Sequence, residues 1–73
     1  MAKLRAFQKD ILAALRELGG EATARQIAVK MHASVNGVVQ SLNNALDPRG
    51  YAFYVGEYLG GDTVWKLVDP PPD

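Results

Sequence analysis

Cysteine is absent from the 73 residues, which excludes disulfide bridges and thiolate-held metal. Histidine occurs once, at His32. No cluster of other ligand-forming residues joins it, so no metal site is expected. Neither sign of charge dominates: 8 Lys and Arg against 8 Asp and Glu give a formal net charge of 0. The global positive field by which nucleic-acid binders steer toward phosphate is therefore missing, and only a local basic stripe could replace it. No apolar run approaches the roughly 20 residues needed to cross a bilayer. The opening residues, MAKLRAFQKD, contain Asp10 and lack the apolar centre of a signal peptide. The expectation is a cytoplasmic protein without a membrane partner. No nucleophile–base pair and no glycine-rich phosphate loop is suggested, and the acidic residues are scattered. An enzyme, a cofactor and a small-molecule substrate are accordingly not expected. A chain this short supports one domain with a small core.

What is present is helical periodicity followed by strand periodicity. Leu4, Phe7, Ile11, Leu15 and Leu18 recur at three- and four-residue steps, which predicts an amphipathic helix over 3–18 with those residues inward. Lys3, Arg5, Lys9, Asp10, Arg16 and Glu17 fall on its outer faces. Gly19-Gly20 ends it. Glu21-Ala22 reads as a short extended link or single strand. Thr23 with Gln26 matches a capping box and starts a second helix, running to about Met31. His32-Ala33 is a turn, and Ser34 caps a third helix that continues through Ala45 or Leu46. Its inner face is Val38, Val39 and Leu42, and Asp47-Pro48 stops it.

From Tyr51 the residues become β-branched and aromatic. Gly60-Gly61 suits a two-residue hairpin turn. That register sets Tyr58 opposite Thr63, Gly56 opposite Trp65 and Tyr54 opposite Leu67, with Tyr54, Trp65 and Leu67 on one core-facing side. Residues 1–69 form the domain. The proline-rich stretch 70–73 is a tail or a linker stub.

Several residues admit two roles. His32 serves the turn, because histidine tolerates positive φ better than most residues. Trp65 reads as core, with an exposed binding anchor as the alternative. Gly37 permits close approach of DNA or a partner, or close packing on the first helix. Asn36, Gln40, Asn43 and Asn44 form an uncharged amide face, either plain solvated surface or a surface that reads bases.

The stretch Ile27 to Leu42, IAVKMHASVNGVVQSL, resembles the winged-helix family, whose pattern is an Ile-Ala pair, a Leu-Gly turn, a Ser cap and a Val-rich helix. Met31 stands where Leu is usual, and His32 where Gly is usual. The ending TVWKLV resembles the aromatic-x-Leu last strand of many wings. Z-alpha domains also end in a Trp-Lys-aliphatic strand, but Val39 and Asn43 stand where that subgroup uses Asn and Tyr. The resemblance covers about residues 4 to 68. It implies an α+β winged helix: a three-helix bundle with a helix-turn-helix plus a C-terminal β-hairpin wing.

The same resemblance implies double-stranded DNA as partner, as for a small prokaryotic or phage transcriptional regulator. Thr23 and Arg25 would meet phosphate. Ser34, Val35, Asn36, Gln40 and Asn43 would face the major groove, where Asn and Gln can read adenine. Tyr58 to Asp62 would form the wing tip, and Lys30, Arg49 and Lys66 would add charge at the margins. A second class of function fits the zero net charge, the uncharged third helix and the apolar wing tip Tyr58-Leu59. This is a protein–protein interaction module without nucleic acid. A homodimer is compatible with both.

Overall fold

A computed structural model describes residues 4–57 and 60–70. The elements in chain order are α1 (Ala6–Glu17), β1 (Glu21–Thr23), α2 (Ala24–Met31), α3 (Val35–Ser41), a π-helical segment (Leu42–Leu46), β2 (Ala52–Glu57) and β3 (Thr63–Leu67). The fold is α+β: three helices and an antiparallel three-stranded sheet of order β1-β3-β2, with a C-terminal hairpin.

The helix starts and stops follow local chemistry. Thr23 Oγ1 accepts a hydrogen bond from the Gln26 amide, and Gln26 Oε1 accepts one from the Thr23 amide. This reciprocal pair satisfies two donors that a helix start otherwise leaves open. Ser34 Oγ does the same for the Gly37 amide at the start of α3. His32 closes α2 with φ 56° and ψ 43°, the left-handed conformation of a helix C-terminus. Gly19 and Gly20, at φ 97° and 91°, let the chain leave α1 where a side chain would strain it. The Gly20 carbonyl then accepts from the Leu67 amide at 2.7 Å, which fastens this exit to the last strand.

α1 is shorter than its apolar spacing predicts. It begins after Arg5, whose amide donates to Gln8 Oε1, so Leu4 precedes the first turn. Ile11, Ala14 and Leu15 are its buried residues, while Phe7 is 38% exposed. Phe7 packs at the rim instead, beside Gly37. A methyl group on Gly37 would meet Phe7 Cζ at 3.7 Å and the capping Ser34 Oγ at 2.9 Å. The glycine is thus accounted for by crowding within the fold.

The third helix extends to Leu46 as expected, but its last turn widens. The Asp47 amide donates to the Leu42 carbonyl at 2.8 Å, a five-residue step. Leu42 and Leu46 are both fully buried. With Ile11, Leu15, Ile27, Val38 and Trp65 they make up the large side chains of the core.

β1 is a strand in the sheet, with Ala22 opposite Trp65 and Thr23 opposite Val64. The hairpin register differs from the expected one. Tyr54 lies opposite Trp65, Ala52 opposite Leu67 and Glu57 opposite Thr63, with a bulge between Tyr54 and Gly56. The extra residue and a loop longer than two residues shift the pairing near the base by two positions. An even shift keeps each side chain on its face but moves Tyr54 toward the hairpin tip. Ala52 occupies the inner position at 1% exposure, and Tyr54 is 46% exposed. The assignment of Tyr54 to the core is corrected accordingly. Its ring meets Trp65 edge-on, 5.5 Å between centroids. Trp65 itself is 1% exposed, and its indole N–H donates to Thr63 Oγ1 at 2.9 Å. Its place is in the core. No helix is long and apolar enough to cross a membrane among the described residues.

Candidate nucleic-acid interface

The α2–turn–α3 unit carries most of the residues in question. Val38 is buried and Val35 and Val39 are partly buried against the core, which fixes the rotation of α3. Its opposite side is then set by helical spacing. Ser34, Asn36, Gln40, Asn43 and Asn44 are all exposed. Among the described residues, no hydrogen bond or ion pair engages the four amide side chains. Asn36, Gln40 and Asn43 follow one another at steps of four and three, so they form one stripe. The stripe offers donors and acceptors together and no formal charge.

The candidate phosphate contacts are arranged differently from the expectation. Thr23 is 4% exposed and its hydroxyl is engaged in the cap of α2. Its side chain is thereby removed from the surface, a correction to its expected role at phosphate. Val35 likewise turns partly into the core, which leaves it only a marginal part in the outer face. Arg25 is exposed, but its Nε–H is shared between the two carboxylate oxygens of Asp62, both at 3.2 Å. This pair joins the start of α2 to the residue before β3. Lys30 Nζ lies 3.1 Å from Glu17 Oε1, which joins the end of α2 to α1. Arg49 is exposed and has an interaction of its own. Lys66 is exposed on β3, opposite Glu21 and Phe53 in the two flanking strands. Tyr58, and Leu59 beside it, lie outside the described residues.

Neither a family model, nor a curated protein, nor a solved structure matches this chain.

Two features escaped the sequence reading. The Arg25–Asp62 pair spans 37 positions, and no local pattern announces a contact at that distance. The second is an apolar surface on β2, where Phe53, Tyr54 and Val55 are 42%, 46% and 48% exposed. The seven residues from Gly50 to Gly56 carry no charge, a signal legible in the sequence. The strand is on the outside of the sheet, so among the described residues one of its backbone edges lacks a strand partner. Elsewhere, a surface hollow of about 420 Å³ is lined by Arg16, Glu21, Lys66 and Asp69 with the exit of α1. It mixes both signs of charge, and none of its lining residues belongs to α3. No group of three or more His, Asp or Glu residues is placed to hold a metal among the described residues.

Proposed function

We propose that the chain is a winged-helix domain that binds double-stranded DNA, laying α3 in the major groove as a small transcriptional regulator would. The observation that carries this reading is the exposed, unengaged amide stripe of Asn36, Gln40 and Asn43 on a helix held from behind by Val38 and Leu42. The element order and the sheet order β1-β3-β2, with its terminal hairpin, support the winged-helix assignment. In this reading Asn36 and Gln40 meet base edges, where Asn and Gln can make paired hydrogen bonds to adenine. Ser34 and Asn43 border them. Arg25, Lys30 and Arg49 lie at the margins toward phosphate.

Affinity of one copy is low in this reading. Phosphate contacts supply most of the strength of such complexes, and Arg25 and Lys30 already have carboxylate partners. A second copy, or attachment to a larger assembly, would raise affinity by linking two weak sites. The test is titration of the protein with a random-sequence duplex at about 50 and 200 mM salt, where binding dominated by phosphate contacts weakens steeply, followed by amide chemical shifts. Salt-sensitive binding with shifts at Arg25, Asn36 and Gln40 supports the reading. Unchanged shifts at the lower salt remove it.

A second reading is favoured by the exposed apolar residues Phe53, Tyr54 and Val55 of the edge strand β2. It is a protein-interaction winged helix that takes an extended peptide as a fourth strand beside β2, by backbone pairing. Shifts confined to 52–57 upon addition of a partner peptide, with none in α3, would select it.

A further inference from the structure

The ion pair between Arg25 and Asp62 has a form that matters for the proposed DNA contact. A strong arginine–carboxylate pair uses two N–H groups in a fork, at about 2.7–2.9 Å. Here a single N–H is shared by both oxygens at 3.2 Å. The two terminal nitrogens of the guanidinium have no hydrogen bond among the described residues. Arg25 is 62% and Asp62 27% exposed at the side chain, so water and salt screen the attraction. The contact is weak enough to exchange, yet it sets an anion on the one arginine at the start of α2.

We infer that Asp62 is a built-in competitor for phosphate at Arg25, and that DNA binding replaces this carboxylate by a backbone phosphate. This rests on the DNA-binding reading and deepens it. In the free protein, Asp62 cancels the charge of Arg25 and ties the hairpin to α2. On the duplex, the fork of terminal nitrogens takes a phosphate and the tie to the hairpin opens. The exchange lowers affinity for every sequence alike, because phosphates carry no base identity. The weight of recognition then shifts to the uncharged stripe on α3. Asp62 is a positioning residue in this scheme, since it acts through Arg25.

Four proteins test the inference: the wild type, Asp62→Asn, Arg25→Ala and the double variant, each titrated with a random-sequence duplex at about 50 to 200 mM salt. Asp62→Asn is expected to bind about two- to fivefold tighter at the low end, the equivalent of one exposed ion pair. Its salt dependence is expected to steepen by up to about 0.9 in the log–log slope, one phosphate's worth. In the Arg25→Ala background the gain should largely vanish, since coupled residues give non-additive effects. Equal melting temperatures of wild type and Asp62→Asn would show that the fold is intact. A gain of the same size without Arg25 would mean a general charge effect and overturn the inference. So would Asp62→Asn binding that is equal to or weaker than wild type. If none of the four binds at the lowest salt, the DNA-binding reading falls, and this inference with it.

Discussion

The outer face of α3 and the outer edge of β2 differ in how the fold treats them. On α3 the exposed side chains are amides, free to pair with a partner, and the apolar ones point to the core. On β2 three consecutive residues, Phe53, Tyr54 and Val55, remain between 42% and 48% exposed. An α-helix can sort its side chains into an inner and an outer face by rotation alone. An edge strand alternates its side chains between two sheet faces, and here it reaches beyond the core that would cover them. The lesson is that two exposed surfaces of one small domain can differ in the chemistry they select. The α3 face suits hydrogen-bonding partners with defined edges. The β2 edge suits an apolar, extended one.

The largest effect breaks both surfaces together. Trp65→Ala should destabilise the domain by about 3–5 kcal/mol, as expected for loss of a buried aromatic. Thermal or urea unfolding would measure it, and a loss below 1 kcal/mol would contradict the placement of Trp65 in the core. Next comes the comparison itself. Gln40→Ala should change preference at one base position by about 1–3 kcal/mol while leaving stability unaltered. Binding to a panel of single-base variants of the preferred duplex reads this out. An equal loss on every sequence would contradict base reading by Gln40.

Ser34→Ala sharpens the distinction between surface and scaffold. Loss of its cap to the Gly37 amide should cost about 1 kcal/mol of stability, so its effect on binding has to be compared with its effect on folding. His32→Gly should act in the opposite direction and raise the unfolding midpoint, with a gain on the order of 1 kcal/mol, because glycine adopts positive φ without a steric cost. A lowered midpoint would show that the histidine side chain contributes something beyond the turn. The smallest effect belongs to the β2 edge. Phe53→Glu, which would face Lys66 across the hairpin, should alter stability by no more than about 0.5 kcal/mol and leave binding through α3 intact. It should abolish any strand pairing with a peptide, since a charge on an edge strand opposes such pairing. Loss of DNA binding in this variant would mean that the two surfaces are not independent.

Much of the fold was legible because its signals are local. Thr23 and Gln26 lie three residues apart and cap one another. Ser34 caps the helix that follows it, and His32 occupies the turn between the two helices in the left-handed conformation. Val38 and Leu42 repeat at the helical period and turn inward. The amide stripe was legible for the same reason, because the outer face of a helix follows from its inner one. Hairpin register was less legible. Gly60-Gly61 marks a turn but does not count the residues in it, and Gly56, the one hint of a bulge in the string AFYVGE, does not by itself fix how the pairing shifts. Phe7 fits the helical period yet lies at the rim of the core, 38% exposed and beside Gly37.

By itself, then, the sequence determined the order of helices and strands, the capping of α2 and α3, the turn at His32 and which side of α3 is polar. All of these depend on residues within one or two helical turns of each other. Tertiary structure alone decided that Thr23 is buried, that Arg25 pairs with Asp62 and Lys30 with Glu17, and that Tyr54 stops short of the core. These are contacts between segments far apart in the chain. Their existence depends on how helices and sheet dock, and that geometry is set by the packing of the core as a whole.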